Sequence, residues 1–384
     1  MEDLEWLGLH WDRVERLSLR IERYREAAQD LRAKGRFYEC FETPVELDLK
    51  RKKQLNMGRP PVYDRASLHL SEEDKAKARA DGREGYWRFL LNQSRIEWTD
   101  GILGPISIDA ASVSDPVLIR ADGQVLYTFA SSVDDIDMGV SFIVRGADHV
   151  TNTATQIQIM EAMGGTPPSF AHHSLLTGAK GEELSKRLGT LSLRDLRASG
   201  VEPMALLSLM ARLGSSKPVE LSASMEDLVE GFDVGSFGSA PTKFDAEDLF
   251  PLTRHHVQGL PFGAVKERIA ALGVPEAEAE AFWAVAKGNI TVLADMAEWW
   301  ALFRDGAEPL VDDADQEFVT EALAQLPPQP WTTATWGEWT TAVKAATGRK
   351  GKDLFRPLRR ALTGRDTGPE MADVMPLLRK IPTV

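Results

Sequence analysis

Residues 126–164 read LYTFASSVDDIDMGVSFIVRGADHVTNTATQIQIMEAMG. Within this stretch Ser141-Phe142-Ile143-Val144 is an apolar strand that ends at Arg145-Gly146, and Thr153 to Met163 is a helix stopped by Gly164-Gly165. The polar run from Ser131 to Met138 reads as a further helix. Just upstream, Val117-Leu118-Ile119-Arg120 and Val125-Leu126-Tyr127-Thr128-Phe129 flank Ala121-Asp122-Gly123-Gln124. An Asp-Gly between β-rich runs predicts a hairpin turn. Strand, helix, strand, helix is the order of a parallel α/β sheet.

Working outward, residues 12–34 read as one helix, with Val14, Leu17, Ile21, Tyr24, Ala28 and Leu31 on one face and Gly35 as its stop. Arg13, Arg16, Arg20, Arg23 and Arg32 flank that face. Residues 36–118 change texture. A basic run (Lys50, Arg51, Lys52, Lys53), a Gly58-Arg59-Pro60-Pro61 turn and strand-like pieces at 86–90, 95–98 and Gly101 to Ile108 predict a small mixed α/β unit. Beyond Ser192, which forms a capping box with Asp195, the chain turns helical. Met204 to Leu213 is apolar almost all round and is expected to be buried. Residues 225–384 give helix after helix, interrupted by a stiff Pro327-Pro328-Gln329-Pro330.

Composition narrows the function classes. The 384 residues are 43% hydrophobic and 27% charged, and no stretch approaches the roughly eighteen apolar residues of a membrane-spanning helix. The N-terminal MEDLEWLGLHWD is acidic and lacks the regions of a signal peptide. With Cys40 as the one cysteine, an internal disulfide framework, a Cys-based zinc cluster and an iron–sulfur centre are excluded, and a reducing cytosol is the natural setting. The paired His172-His173 and His255-His256 lack a third ligand at suitable spacing and read as surface or core histidines. The net charge of −13 argues at first sight against nucleic acid, but the cations are gathered. Lys344, Arg349, Lys350, Lys352, Arg356, Arg359, Arg360 and Arg365 face a single acid, Asp353. Such a cluster is a polyanion site or a solvated basic face.

Ala171 to Gly189, AHHSLLTGAKGEELSKRLG, leads from a strand-like piece into a loop rich in glycine and charge. A lysine ammonium, a serine hydroxyl and backbone N–H groups on a mobile loop suit a phosphate. Taken alone, Ser185-Lys186-Arg187 could equally be an exposed basic turn.

The stretch at 126–164 followed by ELSKRLG resembles the class I glutamyl-tRNA synthetases, closest to bacterial-type members with a helical anticodon-binding end. The resemblance extends to EDLEWLGLHWD (2–12), FYECFETPVEL (37–47), GRPPVYD (58–64) and GKDLFRPLRRALTGRDTGPE (351–370), in the family's order. It implies an α/β Rossmann-like class I catalytic domain, incomplete at the N-terminus, with an inserted mixed α/β acceptor-binding unit, followed by an all-α anticodon-binding region. The implied boundaries are 1–20 for a remnant of the first half of the nucleotide-binding fold and 21–116 for the inserted unit. Residues 117–170 are the second half, 171–255 a stem-contact region with the mobile loop, and 256–384 the anticodon-binding domain.

The implied activity joins L-glutamate and ATP into glutamyl-adenylate and passes the glutamyl group to the terminal adenosine of tRNA(Glu). Magnesium accompanies the ATP, no zinc is expected, and the protein is expected to be a cytoplasmic monomer without membrane contact. The family's K-M-S-K-S loop matches Glu183, Leu184, Ser185, Lys186 and Arg187, with Glu183 in place of the first lysine. Lys186 is then the catalytic cation that favours departing pyrophosphate, and Ser185 and Arg187 join it in binding ATP. Tyr127 and Arg145 match glutamate contacts, each at a strand end, where open α/β sheets bind ligands. Ser131 matches a third contact, where many relatives carry asparagine, and Asp148 and His149 follow in the same loop. Arg145 can fork onto the substrate side-chain carboxylate. Without the resemblance, Tyr127 would be a half-buried strand aromatic and Arg145 one half of a strand-terminal ion pair. Lys350, Lys352, Arg356 and Arg359 are the implied tRNA contacts.

Family members begin with a first strand and a His-x-Gly-His/Asn segment, which these residues do not contain; Met1 to Leu9 resembles a stretch that lies downstream of both in the family. The expectation is that Met1 is an internal methionine, of a late-assigned start or a shortened gene, and that this chain by itself activates glutamate poorly. His149-Val150-Thr151-Asn152 is a faint echo of that signature with Thr in place of Gly, and it reads as the start of a helix. The alternative function is a catalytically silent tRNA-binding fragment.

Overall fold

The computed structural model describes residues 1–178, 180–181 and 192–380. Two sheets share the first half of the chain. Strands β1 (Phe37–Cys40), β2 (Tyr86–Phe89) and β5 (Val117–Ile119) form a three-stranded antiparallel sheet. Strands β3 (Arg95–Asp100), β4 (Gly104–Asp109), β6 (Phe142–Gly146) and β7 (Ser169–His173) form the second, in the order β4-β3-β7-β6. Here β7 pairs in parallel with both β6 and β3, while β3 and β4 form an antiparallel hairpin. The central strand β7 is covered at Phe170, Ala171 and His172, as strands flanked on both sides are. The edge strand β6 leaves Phe142 and Val144 exposed.

Before β6 come α1 (Glu2–Trp6), α2 (Ile21–Ala33), α3 (Pro44–Asn56), α4 (Glu72–Ala80) and α5 (Tyr127–Asp137), and after it α6 (Val150–Met163). Helix α6 closes on Gly164 with φ 87°, a left-handed C-terminal cap that glycine adopts without strain. It is buried continuously from Thr153 to Met160. Helices α2, α5 and α6 pack together with the three-stranded sheet around Tyr24, Leu31, Phe37, Phe89, Phe129 and Ile159. A clamp pins α2 to α5. Arg20 donates to Asp134 and Asp137 at 2.7 Å each, Arg23 donates twice to Asp137, and the Tyr24 hydroxyl donates to Asp134 at 2.7 Å.

Two sequence expectations fail here. The Asp122-Gly123 turn after β5 is present, with Ile119 bridged to Val125 and the Leu126 N–H donating to the Leu118 carbonyl, but the second run does not continue as a strand and the chain is helical from Tyr127. Phe129, Ala130 and Val133 recur at helical spacing and fill the core, so the helical period overrides the β-propensity of Val125 to Phe129. Strand β5 therefore lies in the other sheet, and the parallel order rests on β3, β6 and β7. The helix expected over 12–34 begins only at Ile21, after a 3₁₀ turn at Leu17–Leu19. Val14 and Leu17 are exposed; packing starts at Tyr24, and periodicity with nothing to pack against does not hold a helix.

Helix α1 packs on α7 (Leu193–Ala198), where Arg197 pairs with Glu2 and Asp3. Leu7 shares a core with Leu196, Leu206, Leu209 and Leu249, which draws in α8 (Pro203–Met210); of the run expected to be buried through Leu213, the helix ends at Met210, which is exposed, and buries Ala205, Leu206, Ser208 and Leu209. The Ser192–Asp195 capping box is present. Helices between Leu249 and Val374 enclose a separate core rich in tryptophan, including Trp283, Trp299, Trp300 and Trp339.

Candidate active site

Arg145 is the fourth residue of β6, and its side chain crosses to α6 and β7. Its Nη2 group donates to Thr153 Oγ1 at 2.6 Å and to Gln156 Oε1 at 2.7 Å, and its Nε–H donates to His172 Nε2 at 3.3 Å. Thr153 and Gln156 stand three residues apart on α6 and therefore on one face. The Gln156 amide in turn donates to Ser131 Oγ at 2.9 Å. Ser131 follows Tyr127 by one turn on α5, so the first two turns of α5 bring both toward Arg145. Tyr127 heads the helix rather than ending a strand, and it is 56% exposed. Its ring lies 6.1 Å from that of His149. His149 closes the short turn Ala147–His149 that leads into α6, as the sequence predicts for a helix start.

Burial lowers the pKa of Arg145 from its ordinary value, and the nearby Tyr127, Asp135 and Asp148 pull it back up. Each hydrogen bond just described ends on a neutral acceptor. Among the described residues no carboxylate forms an ion pair with it. A half-buried guanidinium without an anion is costly unless an anion is supplied from outside, and its planar fork fits a carboxylate. Asp135, two turns after Tyr127 on α5, is pushed up to about 6 by burial, which outweighs the pull of Arg145.

Asp100 and His172 lie behind Arg145 with side chains fully buried, the His172 Nδ1–H donating to Asp100 Oδ2 at 2.5 Å. Burial pushes the Asp100 carboxyl up, but hydrogen bonds from His172, Leu103 and Ile102 outweigh it and hold it down at about 2. Sequence reasoning missed Asp100, Thr153, Gln156 and His172. A usable signal was the polar pair Thr153 and Gln156 inside the helix that follows the strand.

The first 251 residues match the family described as class I tRNA synthetases (E and Q), catalytic domain, and residues 260–383 match an anticodon binding domain. A relative from Cereibacter sphaeroides, Glutamate–tRNA ligase 1, is 77% identical over 381 residues, covering 99% of this chain and 86% of the relative. One from Paracoccus denitrificans, also Glutamate–tRNA ligase 1, is 72% identical with the same coverage. The chain belongs to the glutamate–tRNA ligases. The fold agrees with the crystal structure of a glutamate tRNA ligase from Elizabethkingia meningosepticum in complex with its amino acid. The TM-score is 0.83 at 24% identity, with 98% of this chain and 85% of that one covered.

In this ligase Tyr127 and Ser131 lie near Arg145, Ser131 through Gln156, while Glu183, Leu184, Ser185, Lys186 and Arg187 lie outside the described residues. Of the implied tRNA contacts, Lys350, Lys352 and Arg356 are exposed and Arg359 is half-buried. Lys352, Arg356 and Arg359 line a surface cleft of about 460 Å³ with Phe355, Asp366 and Thr367. Phe355 is 45% exposed and 6.2 Å from the Trp336 ring. Much of the C-terminal positive charge is matched: Arg349 by Asp315, Arg360 by Asp312 and Arg365 by Glu298 from afar, and Arg356 by Asp366 close by in the chain. The one cysteine, Cys40, is buried and lies 3.8 Å from the Tyr63 hydroxyl. That hydroxyl and Ser67 both donate to Glu42. Burial raises the Cys40 thiol to about 11. Among the described residues no three His, Cys, Asp or Glu side chains are grouped to hold a metal, and no helix is long and apolar enough to cross a membrane.

Proposed function

We infer that this protein activates L-glutamate with ATP to glutamyl-adenylate and transfers the glutamyl group to the terminal adenosine of tRNA(Glu), with tRNA(Gln) as a second acceptor to be tested. The observation that carries the amino-acid reading is Arg145, a guanidinium partly removed from water and held by Thr153, Gln156 and His172 without an anion of its own. A substrate side-chain carboxylate completes that arrangement, whereas a glutamine amide brings no charge. Tyr127 and Ser131 flank it on α5. Lys186, with Ser185 and Arg187, is assigned to the ATP phosphates, where a cation favours the departing pyrophosphate. Magnesium is assigned to the ATP itself, liganded by the nucleotide phosphates.

Lys350, Lys352, Arg356 and Arg359 are assigned to tRNA, and the divisions at 20, 116, 170 and 255 are retained as the proposed domain boundaries. The working form is a cytoplasmic monomer. Calorimetry of the 384-residue chain with L-glutamate, L-glutamine and L-aspartate tests the first assignment. Glutamate is expected to bind tightest, with the preference lost in Arg145→Ala. Charging of purified tRNA(Glu) and tRNA(Gln) with labelled glutamate and ATP tests the second. Equal affinity for glutamate and glutamine would sink the amino-acid reading.

A further inference from the structure

Arg145 takes its direction from hydrogen bonds that begin in fully buried side chains. Asp100 Oδ1 accepts the backbone N–H groups of His172 at 2.9 Å and of Ile102 and Leu103 at 3.1 Å each. Its Oδ2 accepts the His172 Nδ1–H at 2.5 Å. A carboxylate can only accept, so Nδ1 must carry the ring proton, and in the neutral ring Nε2 is then an acceptor. That Nε2 faces Arg145 Nε–H at 3.3 Å and Thr153 Oγ1 at 2.9 Å. The ring has little freedom to turn. It stacks at 15° on Phe170, 6.2 Å away, and Trp98 lies 6.5 Å off on the same strand as Asp100.

The Arg145 donors divide accordingly. Nε meets His172, and both Nη2 hydrogens meet Thr153 and Gln156. The Nη1 amine takes no part in these three bonds and, beside Tyr127, which also hydrogen-bonds the guanidinium, is assigned to a ligand oxygen. Rotating the guanidinium would break three bonds at once, and each acceptor is anchored on a different side chain of β7 or α6.

We propose that Asp100 and His172 are positioning residues for glutamate: Asp100 fixes the His172 tautomer, and His172 Nε2 then sets the direction in which Arg145 receives the substrate side-chain carboxylate. Neither touches the substrate. The proposal rests on the assignment of Arg145 to glutamate, and it extends a chain of command from β3 through β7 to β6.

The test uses glutamate affinity and thermal stability of the 384-residue chain, measured on a set of variants. His172→Phe keeps a ring of similar size and removes the acceptor; glutamate should bind about tenfold more weakly, the scale of one hydrogen bond to a charged group. His172→Gln can place a carbonyl oxygen near the former Nε2 and should recover most of that loss. His172→Asn reaches Asp100 but not Arg145 and should not recover it, which keeps the test intact if the phenylalanine variant fails to fold. Asp100→Asn should weaken glutamate binding in the histidine background and add nothing in the His172→Gln background, although it lowers the melting temperature in both. A structural role alone would give the same Asp100→Asn penalty in both backgrounds, and that result overturns the proposal. So does an unchanged glutamate affinity in folded His172→Phe, or in both His172→Asn and His172→Gln. If Arg145→Ala itself binds glutamate as the parent does, the assignment of Arg145 falls first, and the dyad's role in glutamate binding falls with it.

Discussion

Two arginines withdrawn from solvent solve the same problem in opposite ways. Arg360, in the helix Lys352–Thr363, is 8% exposed and forks onto Asp312, with Asp366 nearby. Its charge is closed within the fold. Arg145 is held by a threonine, a glutamine and a histidine, and its charge remains open. The first arrangement is what a stabilising ion pair needs; the second is what a receptor for an anion needs. The same contrast runs through the C-terminal cations. Arg349, Arg356, Arg360 and Arg365 are matched by Asp315, Asp366, Asp312 and Glu298, leaving Lys344, Lys350, Lys352 and Arg359 of that run without an ion pair among the described residues.

The sharpest way to break the comparison is to truncate each arginine in turn. Arg145→Ala should weaken glutamate binding about a hundredfold, near 3 kcal/mol, with a smaller change in melting temperature. Arg360→Ala should lower the melting temperature and leave glutamate affinity as it was. Calorimetry and thermal denaturation of the two variants check this, and a loss of glutamate affinity in Arg360→Ala would erase the distinction. A middle-sized effect concerns tRNA. Lys352→Ala and Arg359→Ala should each weaken tRNA binding and flatten its salt dependence by about one unit of slope, as loss of one phosphate contact does. Arg356→Ala should do less, because Asp366 already neutralises Arg356. Filter binding across a salt series reads both quantities.

The smallest effect is a pH dependence beside Arg145. Burial lifts Asp135 to about 6, above the roughly 3.9 of an unfolded aspartate. A carboxyl with a raised folded pKa favours the fold while protonated. Its contribution is complete below about pH 4 and disappears as the pH rises through 6. Going from pH 5 to pH 8 should therefore cost the parent about 1 kcal/mol more than Asp135→Asn, allowing for solvent screening at a partly exposed group. Melting curves of both proteins at the two pH values check the sign; a larger loss in the asparagine variant would reverse it.

What was legible in the sequence was what is decided locally. The stop at Gly164, the strand ending at Arg145-Gly146 and the Ser192–Asp195 capping box each depend on a few neighbouring residues. The stretch from Val125 to Phe129 misled because its residues favour strands while their spacing, seen with Ala130 and Val133, fills a core from a helix. The partners of the important charges were illegible for a different reason. His172 meets Asp100 across 72 positions, Arg360 meets Asp312 across 48 and Arg365 meets Glu298 across 67. No local rule connects them. Reading the C-terminal run as eight cations against one acid therefore overstated the charge offered to a polyanion, and Tyr127 and Arg145 are singled out in the sequence through family resemblance rather than through their surroundings.

The clamp between α2 and α5 divides the latter helix into unequal halves. Its C-terminal half is tied at Asp134 and Asp137 by Arg20, Arg23 and Tyr24. Its start at Leu126 has no side-chain cap, and the first residue, Tyr127, stands largely in solvent. Amide protons should therefore trade with deuterium quickly around Tyr127 and slowly from Val133 onward, so that one short helix offers a supple lip at its mouth and a fixed root beneath it.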